Sequence, residues 1–133
     1  MTDELVAACG AWGKVIWAVD ENGRSQARDF YMELELQDRV KVQALFGRLA
    51  DLGPTGLQNR EKFKFLDDLR GERLFEFKSF QLRFLGAFRP GQRFIVAYAL
   101  RKKQDNLPPA SLDIAAATLK QHDRQAERPR GKK

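Results

Sequence analysis

The sequence predicts an α+β fold: an antiparallel sheet with an N-terminal helical hairpin packed on one face and a C-terminal helix, in the order β-α-α-β-β-β-α. Three observations predict it. Residues 74–103 contain the strand-like runs LFEFKSF, QLRFLGAF and RFIVAYAL; residues 25–52 carry two apolar stripes at helical spacing; and a proline-started helical pattern follows residue 107. A chain of 133 residues has room for one domain with one modest core, placed at residues 1–122, followed by a basic tail at 123–133 expected to be flexible.

The first strand is expected at KVIWAV, residues 14–19, where β-branched and aromatic residues run up to the turn residues Asp20, Glu21, Asn22 and Gly23. Trp12 and Trp17, beside and within it, are expected in the core. Ser25 is the N-cap of a helix whose stripe is Ala27, Phe30, Tyr31 and Leu34. A second helix carries Val42, Leu45, Phe46, Leu49 and Leu52 until Gly53 and Pro54 stop it. These two helices make the hairpin, and the sheet is the only large surface available to cover their stripes.

Gly53 to Asn59 reads as loop, and Arg60, Lys62 and Lys64 form a basic lead-in to the strands. Along LFEFKSF, Phe75 and Phe77 oppose Glu76 and Lys78; along QLRFLGAF, Leu82 and Phe84 oppose Arg83. Each of these strands thus has an apolar side and a charged side. Arg89, Pro90, Gly91 and Gln92 supply a hairpin turn. In the third run Phe94, Val96, Tyr98 and Leu100 share a face; it is apolar on both sides and so predicted to be central. The last helix opens at Pro108 or Pro109, with Ala110, Ile114 and Ala117 along its stripe.

Charge divides unevenly along the chain. Residues 1–59 carry six basic and nine acidic side chains, net −3; residues 60–103 carry twelve and five, net +7; residues 104–133 carry six and four, net +2. The excess belongs to the predicted sheet, and such segregation attracts phosphates as well as serving simply as a solvated basic face. No apolar run approaches the roughly 18 residues of a membrane span, and residues 1–12 lack the layout of a secretory signal. A cytoplasmic protein without membrane association is therefore expected. Cys9 has no second cysteine to pair with and is expected to be an inert small apolar residue. The lone His122 and the scattered carboxylates make no metal-ligand cluster, and no Walker loop, GxSxG or Cys-His pair is present. No metal or cofactor is expected.

The predicted element order, the triplet Glu76-Phe77-Lys78, Arg83 early in the next strand, and the ending YALRKKQDNLPPASLDIAAATLK together resemble the RelE superfamily of bacterial toxins. The likeness is to its HigB-like and phage-derived branch. In that branch the last strand runs into a Lys-Lys pair, a polar linker, a Pro, and a helix with an acidic-apolar pair and a later Ala; here Lys102, Lys103, Pro108, Asp113, Ile114 and Ala117 occupy those places. The resemblance implies a toxin of a type II toxin-antitoxin pair, prophage-borne in this branch, that cuts mRNA on the translating ribosome without a metal. A cognate helix-turn-helix antitoxin would neutralise it; the oligomeric state stays open.

Carried over by resemblance, the catalytic candidates are Lys78, Arg83, Arg101 and Tyr98, and the RNA-binding candidates are Lys62, Lys64, Lys102 and Lys103. Each has a plainer alternative: Lys78 as a solvated strand cation, Arg83 as a cross-strand partner of Glu76, the Arg101–Lys103 cluster as a solubilising strand end, Tyr98 as core. Family members often have Arg at the place of Lys78 and aromatics at those of Leu82 and Leu100, and the general acid and base are not identified by the sequence. Two further readings stand beside the nuclease: a gyrase-inhibiting toxin without nuclease activity, and a non-catalytic RNA- or protein-binding domain.

Overall fold

The computed structural model describes residues 4–56, 63–67, 71–102 and 107–127. Its elements are β1 (Leu5–Cys9), β2 (Lys14–Trp17), α1 (Gln26–Met32), α2 (Leu36–Leu52), a 3-10 turn (Gly53–Gly56), β3 (Phe63–Asp67), β4 (Leu74–Ser79), β5 (Leu82–Arg89), β6 (Arg93–Arg101) and α3 (Pro109–Glu127). They form one six-stranded sheet in the order β1-β2-β6-β5-β4-β3.

This corrects the predicted fold in three respects. The order is β-β-α-α-β-β-β-β-α, with strands at both sheet edges that the sequence reading did not include. LVAAC in β1 has no alternation to mark it as a strand, and in β3 the alternation of Phe63 and Phe65 is only two residues long and interleaved with lysine. The sheet is mixed rather than antiparallel, because β2 runs parallel to β6, a pairing made by residues some 80 positions apart and invisible to local pattern. The helical hairpin is also absent as a packing unit: α1, only seven residues long, packs on β6, whereas α2 packs on β1, β2 and β4. Each apolar stripe meets the sheet instead of its neighbour, and one side-chain bond joins the helices among the described residues, from Tyr31 Oη to Gln43 Oε1 at 3.1 Å.

The predicted caps and turns explain where elements start and stop. Ser25 accepts from the Arg28 N–H at 3.2 Å and so caps α1. Gly53 ends α2 at φ 65°, pressed so closely to the Trp12 ring that a Cβ there would overlap it. β6 is central as expected, between β2 and β5.

Two cores fill the faces of the sheet. On the first, α1 and α2 cover Trp17, Phe77, Phe84, Phe94 and Val96, with Phe46 of α2 edge-on to Trp17, Phe77 and Phe84 at 5.3–5.5 Å between ring centroids. On the second, Ala115 and Leu119 of α3 pack against Ile16, Leu74, Leu85, Ala87, Ile95 and Ala97. The α3 stripe is thus Ser111, Ala115, Leu119 and His122; Ala110, Ile114 and Ala117 are exposed, correcting the predicted face by one residue. Small and polar residues on the buried side hid it. The helix continues through Glu127, past residue 122 where the tail was expected to begin, and Asp123 binds Arg89 within it. Cys9 is exposed at the end of β1.

One irregularity positions the functional face. Leu85 pairs with Tyr98 but Gly86 pairs with Val96, so β6 carries Ala97 as an extra residue. Ala97 and Tyr98 both face the second core. Tyr98 therefore does not share a face with Phe94 and Val96, and the strict alternation predicted for this strand fails at the bulge. Among the described residues no helix is long and apolar enough to cross a membrane.

Candidate nucleic-acid interface

Strand register assembles the site. On the second face of the sheet, one cross-strand row runs Tyr98, Leu85, Glu76, Lys64 over β6, β5, β4 and β3, and the next row runs Leu100, Arg83, Lys78. α3 covers the apolar part of this face around Leu74, Leu85 and Ala87. The Glu76 end carries charge instead. Lys102, just past β6, is tied to it by its backbone N–H, which donates to Gln81 O at 2.8 Å across the β4–β5 turn.

At the centre is a carboxylate. Glu76 is 1% exposed, with Arg83 Nε 3.4 Å from its Oε2 and Lys64 Nζ 3.8 Å from its Oε1. The two lysines and one arginine that pair or stand beside it, together with Lys102, place four cations around one anion. Lys78 lies directly opposite Arg83, an arrangement that is unfavourable for like charges and that Glu76, diagonal to Arg83, offsets. Arg83 is held from the other side too: its Nη1 donates to the carbonyls of Phe80 and Leu82. Glu76 Oε2 and Arg83 Nε are buried and face each other at 3.4 Å without hydrogen-bond geometry, so their contact is an ion pair alone.

The electrostatics single out Lys102. Burial lowers its pKa below the ordinary lysine value; Glu76 opposes that shift, while Arg83, Lys64 and Lys78 reinforce it. A lysine acidified in this way gives up its proton nearer neutral pH than a solvated one, which is the property a general acid needs. The sequence pattern assigned this position only to RNA contact.

Of the remaining candidates, Tyr98 is half-buried on the same face, two strands from Glu76 and so about 10 Å away at ordinary strand spacing. Arg101 pairs with Leu82 and is exposed on the opposite face from Arg83. Lys62 and Lys103 lie outside the described residues. The register thus brings together Lys64, Lys78, Arg83 and Lys102, sets Tyr98 beside them, and sends Arg101 elsewhere. Glu76 is the residue that motif reasoning named only as a neighbour; its signal was a lone carboxylate among cations on the charged side of a strand.

Among the described residues, two other arginines of the basic middle segment are ion-paired. Arg89 is bound by Asp123 and Glu72 at 2.9 and 2.8 Å. Burial works against its charge, but the hydrogen bonds it donates to these carboxylates and their negative charge outweigh it and raise its pKa. Arg93 pairs with Glu4 at 2.9 Å, and Arg73 lies over the Phe65 ring. Among the described residues no cluster of three or more His, Cys, Asp or Glu side chains could hold a metal ion. A shallow depression beside α1, lined by Asp20, Arg24, Gln26, Asp29, Phe30 and Glu33, has three carboxylates to one guanidinium and suits a polyanion poorly. No protein-family model and no curated protein matches the chain.

Proposed function

We propose that this chain is a RelE-like toxin of a type II toxin-antitoxin system, acting in the cytoplasm as a metal-independent endoribonuclease on mRNA being translated by the ribosome. The observation that carries the reading is the cluster of Lys64, Lys78, Arg83 and Lys102 around the buried Glu76, with Lys102 acidified by its surroundings. The adjacency of β4 and β5, which sets Lys78 opposite Arg83, supports the reading.

In the proposed reaction the ribose 2′-oxygen attacks the adjacent phosphorus and the bond from phosphorus to the 5′-oxygen breaks. The products are a 2′,3′-cyclic phosphate and a 5′-hydroxyl. The 2′-hydroxyl proton passes to solvent, and the Lys102 ammonium donates a proton to the departing 5′-oxygen. Lys78 and the Arg83 guanidinium stabilise the charge that builds on the phosphorane oxygens, and Lys64 steers the strand. Glu76 keeps Arg83 and Lys64 in place. A cognate helix-turn-helix antitoxin would silence the protein by covering this positive end.

The non-catalytic RNA-binding reading has one observation in its favour: Arg83 Nη1 is already engaged by two backbone carbonyls. Induction of the chain in bacteria, with RNA ends mapped on translated and untranslated copies of one reporter, separates the two. Growth arrest with new 5′-hydroxyl ends confined to the translated copy supports the nuclease. Binding to RNA without new ends supports the other.

A further inference from the structure

We propose that Phe80, at the tip of the β4–β5 hairpin, is a stacking platform for an unpaired base of single-stranded RNA, with Lys41 and Arg101 holding the phosphates beside that base. The inference rests on the RNA-directed reading above and adds a subsite to it.

Phe80 is 74% exposed, the most exposed large apolar side chain among the described residues, in a protein whose other phenylalanines mostly build the core. It occupies the first position of a two-residue turn closed by the Ser79–Leu82 pair, with φ 57°. Glycine ordinarily fills such a position, because a bulky side chain in the left-handed region is disfavoured. A large aromatic ring at a strained, solvent-facing turn contributes little to folding. Backbone outliers of this kind gather at functional sites, which makes the ring a candidate for contact with something else.

Its surroundings indicate what that is. Lys41 of α2 places its Nζ 4.3 Å from the Phe80 ring centroid, and Arg101 is exposed opposite Leu82, the residue that closes the turn. An exposed aromatic ring with one cation at its face and a second at the neighbouring strand end matches the pairing of stacking surface and phosphate contacts by which proteins hold unpaired nucleic acid. The turn is also fastened to the catalytic cluster: the Phe80 carbonyl accepts from Arg83 and the Gln81 carbonyl from the Lys102 N–H. A base stacked on Phe80 would therefore fix its neighbouring phosphate at the edge of that cluster. This gives Arg101 a role on the face where the register puts it.

The test uses an eight-nucleotide single-stranded RNA with 2′-O-methyl sugars, which cannot be cleaved, and one 5-iodouridine, with the full chain and its Phe80→Gly and Lys78→Ala variants. Phe80→Gly removes the ring and suits the turn's φ, so the variant keeps its fold. The expected result is photo-crosslinking of the iodouridine to Phe80, and about tenfold weaker binding of Phe80→Gly, within the range for loss of one base stack. The salt dependence of Phe80→Gly should match the wild type, whereas Lys78→Ala should lower the salt slope and retain the crosslink. Equal affinity of Phe80→Gly and wild type, with no crosslink at Phe80, overturns the inference while leaving the RNA reading intact, and assigns the ring to a protein partner instead. Failure of the wild type to bind the RNA at any salt overturns both.

Discussion

Removing the Glu76 carboxylate should destabilise the protein and do so through Arg83. Glu76 is 1% exposed and the Arg83 side chain 9%, so solvent screens little of their interaction. Glu76→Ala leaves a buried guanidinium with two backbone carbonyls and no counter-charge, and loss of one partner of a buried pair costs about 3–5 kcal/mol. The two carbonyl bonds remain, so about 3 kcal/mol is expected here, a fall in Tm of about 10–15 °C for a chain of this size. Arg83→Met strands the carboxylate in turn, relieved in part by Lys64 at 3.8 Å and by Lys102. The double change Glu76→Ala with Arg83→Met removes both charges and should be milder than the sum of the single changes by about 1–3 kcal/mol. Urea denaturation followed by the fluorescence of Trp17, which is 4% exposed, measures all four corners of the cycle. Strict additivity would refute the idea that Glu76 and Arg83 act as a pair. A change under about 0.5 kcal/mol in Glu76→Ala would refute its burial among cations.

Three further outcomes are expected. Burial lowers the His122 pKa, with Asp123 and Glu4 opposing and Arg93 and Arg89 reinforcing, and its Nδ1 accepts from the Val19 N–H at 3.1 Å. The unfolded chain then binds the extra proton first, so stability falls as pH drops below the unfolded value of about 6.5 toward the lowered folded value; His122→Asn should flatten that part of a urea-midpoint-against-pH curve. His122→Ala should cost about 1–3 kcal/mol at pH 7.5 by leaving the Val19 N–H without its acceptor, measured by the same melts. Gly86→Ala would drive a Cβ into the Ile95 carbonyl at the bulge, and should lower the yield of folded protein or cost more than about 2 kcal/mol.

What the sequence disclosed follows from how local each signal was. The turn at Arg89–Gln92, the Ser25 cap and the central place of β6 rest on neighbouring residues or on two-sided apolarity, and all were legible. Alternation along β4 and β5 put Lys78 and Arg83 on the charged side of their strands, whereas the place of Lys102 beside them came from the sheet register and the Lys102 N–H to Gln81 bond. The parallel pairing of β2 with β6 depends on residues far apart in the chain, so no window could hold it. Ala97 looks like any strand residue, and only the partner strand reveals that it is surplus, which is why Tyr98 was expected on the wrong face. The α3 stripe was missed because Ser111 and His122 are polar by type but buried by position. Glu76 was visible as a letter; its role became apparent when register put Lys64 on one side and Arg83 on the other.

The most direct test of the central claim compares wild type with Lys102→Arg by mapping 5′ ends on the translated reporter after induction. Arginine keeps the positive charge but not an ammonium acidified by its surroundings. The account predicts new 5′-hydroxyl ends in the wild type and their loss in Lys102→Arg, with RNA affinity unchanged. Undiminished cleavage by Lys102→Arg would contradict the assignment of Lys102 as the proton donor. Absence of new ends in the wild type would contradict the nuclease itself.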